Sequence, residues 1–477
     1  MTAPKQLAAS RIREEIKRLL KSSNYKLYKL CEMININAGH LSGYLKGHEY
    51  RQITIDQLHA IGQIFEKPVG WLFELYAEDY FRKERISPKR AKSYLMKCAK
   101  LGRQDYIQLV LPQVLECPNN IDIFFSVAER LFYKGKQKES IFFYQLVVDN
   151  GKNDRTESVI MSRYRLFQMS ETTNVELIWK AVLLFEPLRK ELPKPCQLDA
   201  LLQLGSYCCT LRKWQKLGQF ADELLELANL VYKNELHKKK RGKGEAVELL
   251  NLERHLVVYY GQGYLLKALA LEKQGHYEQA KEFITKYADL SWLELLDESG
   301  QAEVAKYKKL ALFNICKIDI LTGNISILSD FVEFLEDNSE EIMSGFIAIV
   351  ESANNHGFSI DTTLEKFSKE INSFDKYRDL TNVDRHLQFR YQLAIYQFKN
   401  ERPNNGIKEI LKCMTLSAAL NSSKDFIQCI ALFEAHRYQV LDYQEREYRK
   451  ILEGVMRNER LNGRSYPPSE ERPKMIH

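Results

Sequence analysis

Twelve prolines in 477 residues are too few for an extended or linker-rich chain, and strand-like alternation is scarce, so helices have room to run. No apolar run reaches the roughly 18 residues that cross a bilayer, and no secretory apolar core stands at the N-terminus. The expected setting is the cytoplasm, with no membrane partner. The nine cysteines are odd in number, lie among apolar positions and never adopt CxxC spacing. That excludes a disulfide framework and a zinc ribbon, and reads as buried reduced thiols. Catalytic motifs are missing too. There is no HExxH, no Walker-type glycine loop and no clustered Cys/His set, and Gly261–Gln262–Gly263 lacks the third glycine and the preceding strand of a dinucleotide site. His255, His276 and His386 read as ordinary polar or part-buried helix residues. The chain is expected to be no enzyme and to carry no cofactor or metal.

What is present is helix-forming and amphipathic. Hydrophobic residues make up 45% and charged residues 28% of the chain, a composition that can bury a large core. The positive charge is local: up to Arg51 there are ten Lys/Arg against four acids, whereas the whole chain carries a formal net charge of +7. A basic surface concentrated in one short segment suits phosphate groups.

Residues 30–47, LCEMININAGHLSGYLKG, read as an apolar-periodic helix, a short Asn-containing turn and a second small helix. Leu30, Cys31 and Ile34 form the inner face of the first, Ile36 the turn residue, and Leu41, Tyr44 and Leu45 the inner face of the second. Asn37 is placed to cap the second helix and Gly47 to stop it. A basic amphipathic segment at 10–21 precedes them; 53–65, with Ile53, Ile55, Leu58, Ile61 and Phe65 inward, and KPVGWLF at 67–73 follow. The whole resembles the Cro/repressor (XRE) class of helix-turn-helix DNA-binding domains over about seventy-five residues. The resemblance implies Asn37, Ala38, His40, Ser42 and Lys46 on the DNA-facing surface, with Lys26, Lys29 and Arg51 on phosphates. One departure matters. Ala38, Gly39 and Gly43 stand where long base-reading side chains are usual, so direct readout is thin.

From about residue 86 the chain becomes a succession of amphipathic helices. Residues 264–288 place Ala268, Leu271, Gly275, Tyr277, Ala280, Ile284 and Tyr287 at tetratricopeptide (TPR) spacing, and 201–221 repeat the register with Leu204, Gly205, Cys208, Trp214, Leu217 and Ala221. Looser copies follow Ala128, Cys316 and Ala394. The expected fold class is all-α, an N-terminal five-helix XRE-type domain followed by a TPR-like right-handed α-solenoid of roughly seven to nine helical pairs. The expected limits are 1–81 for the first domain, 82–89 for a linker marked by Pro88, 90–461 for the array and 462–477 for a polar tail. A basic stretch at 237–244 is expected as an inter-helix loop. The apolar faces of 407–433 are expected to pair two copies.

An XRE-type domain followed by a long degenerate TPR array resembles the RRNPP class of peptide-pheromone receptors of Gram-positive bacteria and their phages. The resemblance implies a homodimeric transcription regulator that binds double-stranded DNA and is switched by a short linear signalling peptide. A groove for an extended peptide needs amides and guanidinium groups to satisfy its backbone, among aromatic walls. Arg163, Tyr164, Asn251, Arg254, Gln262, Asn314, Gln388, Arg390 and Tyr391 are the residues expected there. The alternative is a TPR adaptor that sequesters a signalling protein, with weak DNA contact.

Overall fold

The computed structural model describes residues 7–48, 52–81, 86–151, 155–170, 175–240, 252–294, 296–377 and 380–461. Among them are 24 α-helices and no strand. Packing divides the chain into two units, Met1–Ser170 and Glu171–His477.

The first unit contains α1 (Leu7–Ser22), α2 (Leu27–Met33), α3 (Ala38–Lys46), α4 (Ile55–Ile64), α5 (Phe73–Phe81), α6 (Pro88–Lys100), α7 (Gln104–Leu115), α8 (Asn120–Phe132), α9 (Gln137–Asn150) and α10 (Glu157–Gln168). Local chemistry sets several of these limits. Asn37 caps α3, its side chain accepting from the His40 N–H at 3.1 Å, and Gly47 ends it in the left-handed conformation. Thr54 and Gln57 bond reciprocally at 2.9 and 3.2 Å at the start of α4, a capping box.

One apolar cluster runs from Ile12 to Val159. Tyr76 of α5 stacks on Tyr94 of α6 with centroids 5.8 Å apart, and the Tyr94 hydroxyl donates to the Phe73 carbonyl at 3.3 Å. Arg103, in the α6–α7 turn, donates to the Val69 carbonyl and lies 4.0 Å over the Tyr106 ring. These aromatic and polar ties hold α5 to α6 and α7. Packing therefore does not thin out at 82–89. Of that expected linker, 82–85 lie outside the described residues, and Ser87–Pro88 open α6.

The second unit contains α11 (Val175–Phe185), α12 (Lys194–Thr210), α13 (Trp214–Lys240), α14 (Leu256–Glu272), α15 (Tyr277–Ala288), α16 (Glu298–Leu321), α17 (Leu328–Asp337) and α18 (Ile342–His356). It continues with α19 (Asp361–Lys366), α20 (Ser368–Ser373), α21 (Leu380–Lys399), α22 (Pro403–Ala419), α23 (Ser423–Ala435) and α24 (Asp442–Leu461). From α11 to α18 and from α21 to α23 consecutive helices pack on each other; α18 also meets α21, α24 meets α22, and α14 meets α12 and α16.

One turn recurs. An N–H three or four residues past the helix returns to a carbonyl in the last turn: Lys136 to Leu131 (2.9 Å), Lys213 to Cys208 (2.8 Å), His276 to Leu271 (2.9 Å), Asn324 to Asp319 (2.9 Å) and Arg402 to Gln397 (2.9 Å). This geometry needs a left-handed residue between. Gly135, Gly275 and Gly323 supply it in three cases, Arg212 and Glu401 in the other two.

Small residues then let helices approach. Ala268, Ala280, Leu204, Gly205, Cys208, Leu217 and Ala221 are all buried. Two expectations on the array change. His237–Lys240 belong to α13 rather than to a loop, while 241–244 lie outside the described residues. The apolar set at 407–433 is largely spent inside the chain, since Ile407, Ile410, Leu411, Met414 and Phe433 form one core with Leu387 and Tyr448. Ile427 remains exposed. The 462–477 tail lies outside the described residues.

Gly261 in α14 separates two competing effects. Alanine there gains about 1 kcal/mol of helix propensity, but its Cβ would stand 2.3 Å from two Tyr307 ring carbons, and overpacking costs up to about 3 kcal/mol. Gly261→Ala should therefore lose about 2 kcal/mol in urea unfolding. Gly275→Ala, with nothing within 4 Å but a φ of +80°, should lose only about 1 kcal/mol. A stabilised Gly261→Ala would show that the α14–α16 approach is looser than described.

Candidate nucleic-acid interface and ligand groove

In the first unit, α2 packs against α3, and these two helices and their caps carry most of the residues expected to meet DNA. Lys26, at the N-terminal boundary of α2, and Lys29 within it are exposed, as are Asn37, Ala38 and Lys46, while His40 and Ser42 are half-buried. Arg51 lies outside the described residues. The Asn37 oxygen is engaged as a helix cap, which makes it a residue that fixes the helix start. Ala38 and Gly39 leave the first turn of α3 without a long side chain.

Tyr28 was not anticipated. It is 62% exposed between Lys26 and Lys29, whose ammonium lies 5.6 Å from the Tyr25 ring. The signal in the sequence was an aromatic on the polar side of a helix, flanked by lysines. Arg11, Lys17, Arg18 and Lys21 of α1 are also exposed.

The residues expected to line a peptide groove do not form one set. Arg163 and Tyr164 belong to the first unit and the others to the second. Tyr164 is 1% exposed, part of the core rather than of a groove wall. Asn314 is buried as well, its amide donating to the Tyr287 hydroxyl at 3.0 Å. Arg390 is 3% exposed; it donates to His386 Nε2 at 2.8 Å and the Ile371 carbonyl at 3.3 Å, and pairs with Glu409 at 3.1 Å. Buried and with three of its five N–H groups so engaged, this guanidinium belongs to the core rather than to a groove wall. Asn251 lies outside the described residues.

Arg254 is spent in part on buried Asp199, which also accepts from the Tyr259 hydroxyl at 2.9 Å. Gln388 donates to Asp384 at 2.6 Å. Tyr391 is half-buried against the C-terminal core. Gln262 is half-buried on α14 and hydrogen-bonds the Tyr307 hydroxyl.

Charge in the second unit gathers elsewhere. Glu272 is buried between Lys317 at 2.7 Å and Lys273 at 3.4 Å. Burial would raise its carboxyl, but the two ammonium groups outweigh it and hold the group below its ordinary value. Glu351 and Glu341 are both pushed up by burial, opposed most by Lys273 and by Arg385 respectively. His386 falls to about 4 through burial and then the Arg390 guanidinium, so it is neutral at physiological pH.

Among the described residues no three His, Cys, Asp or Glu converge as metal ligands, and no helix is long and apolar enough to cross a membrane. The chain matches no known protein family, and no curated protein or solved structure is significantly similar to it.

Asn314→Ala should act on stability. It removes the donor to a buried tyrosine hydroxyl and should cost about 1–3 kcal/mol in urea unfolding. Unchanged stability would show that Tyr287 does not depend on that amide.

Asp199 sets a pH dependence. Burial first, then Glu253, raise its carboxyl from 3.8 to about 6 against the pull of Tyr259 and Arg254. The folded protein therefore binds the proton more tightly than the unfolded chain does, and this stabilising contribution, full below about pH 4, is lost as pH rises through 6. The stability difference between wild type and Asp199→Asn should shift across that window, and a difference that is flat with pH would contradict it.

Proposed function

We propose that the chain is a peptide-gated DNA-binding regulator. In this reading α1–α5 form an XRE-type helix-turn-helix domain, and the helices that follow form a TPR-like array that receives a short linear peptide. The protein acts in the cytoplasm as a homodimer. The observation that carries the reading is the α2–α3 pair, with its Asn37 cap, its left-handed Gly47 stop and exposed Lys26, Lys29 and Lys46. It lies inside the segment that holds ten of the chain's basic residues against four acids.

Phosphate contacts supply most of the affinity. Smooth Ala38 and Gly39 leave sequence discrimination to His40, Ser42, Lys46, a thymine-methyl contact at Ala38 and DNA shape. The same smooth surface favours a second reading, a TPR adaptor that sequesters a signalling protein and touches DNA weakly.

Fluorescence anisotropy of the full chain on labelled duplexes, selected from a random pool and titrated across salt, separates the two. Affinity should fall steeply with salt. The double substitution Lys26→Ala, Lys29→Ala should weaken binding to every duplex alike and reduce the salt slope by about one per lost contact. Binding to no duplex, or binding indifferent to both salt and the substitutions, would favour the adaptor.

A further inference from the structure

In a stacked helical array each pair touches its neighbours, and contacts between distant pairs are absent by default. The second unit departs from this rule at Arg212. Arg212, in the turn between α12 and α13, reaches across 172 residues to Asp384 of α21 and across 213 to Asp425 of α23. Its Nη1 lies 2.8 Å from Asp425 Oδ1, and its Nη2 donates to Asp384 Oδ1. One guanidinium thus forks two carboxylates from two helices.

Both acceptors are held ready. Gln388 donates to the second oxygen of Asp384 at 2.6 Å, and the Ser422 hydroxyl to the second oxygen of Asp425 at 2.6 Å. The donor sits under backbone strain: Arg212 occupies, at φ +51°, the left-handed slot that Gly135, Gly275 and Gly323 fill in other turns. A glycine would fit this slot better, so the side chain accounts for the choice. Arg212 and Asp384 each remain 28% exposed, so water and salt reach the contact and it can open.

Arg385, next to Asp384 on α21, acts on Cys209 of α12. We propose that Arg212 is a clasp that closes the helical array of the second unit on itself, so that the side of α12 that carries Cys209 opens to solvent only when the clasp releases.

The test uses the full-length protein and the Cys209 thiol as its probe. Labelling by N-ethylmaleimide is followed site by site with peptide mass spectrometry, with Cys98 of the first unit as internal reference. Arg212→Gly removes the clasp and relieves the strained turn. The pair Asp384→Asn, Asp425→Asn removes the other half and leaves the α12–α13 turn untouched. Each should raise Cys209 labelling about tenfold or more. Combining them should add nothing further, as expected of groups that act as one unit. Raised salt should speed labelling in the wild type only.

Unchanged Cys209 labelling in the carboxamide pair, in protein with native circular dichroism, would overturn the proposal. So would additive effects of the two changes. Should Arg212→Gly fail to fold, Arg212→Lys, which keeps the charge but grips at a single point, carries the same readout. An intermediate rate is expected, and a wild-type rate overturns the clasp.

Discussion

A helix that stops inside a protein leaves its last carbonyls without partners, and how this chain resolves that decides its architecture. The returning N–H recurs after α8, α12, α14, α16 and α21, each time around a left-handed residue. It satisfies the helix end and, after α8, α12, α14 and α21, joins the next helix through three or four residues. A connection this short forces successive helices into contact. Small residues such as Ala268 and Ala280 then follow from packing, since a larger side chain would hold the helices apart.

Packing so close brings polar side chains inside, and the chain manages the cost by pairing them. Glu272 is flanked by two lysines, Arg390 by an imidazole, a carboxylate and a carbonyl, and Asp199 by a guanidinium and a phenol. Removing one partner from such a cluster leaves an uncompensated group behind, which costs more than the pair itself contributes. Arg390 and Asn314 looked available to a ligand because an amide or guanidinium on a helix face reads the same whether its partner is a peptide or a residue twenty-seven positions away, as Tyr287 is from Asn314.

What the sequence made legible was local. The Asn37 cap, the Gly47 stop and the inward Leu30, Leu41 and Leu45 depend on neighbours within a few residues, and the all-helical class depends on periodicity. What it hid was distant. Pro88 reads as a domain boundary because the residue before it disfavours helix, yet Tyr76 and Tyr94 stack across that point. Tyr164 resembled a groove residue because burial by a neighbouring helix leaves no mark on its own helix. The reach of Arg212 to Asp384 and Asp425 had no local signature except an arginine in a slot that suits glycine.

The bond from Arg103 to the Val69 carbonyl and the Tyr76–Tyr94 stack have a consequence for modularity. Small helical DNA-binding domains are often exchanged between proteins as cassettes cut at a linker. A cut after Phe81 would strip α5 of its cover and leave Phe73, Tyr76, Tyr80 and Phe81, all buried in the whole chain, as an aromatic face in water. The transferable piece, in recombination as in engineering, is the full unit through Ser170, so the first helical pairs travel with the N-terminal helices.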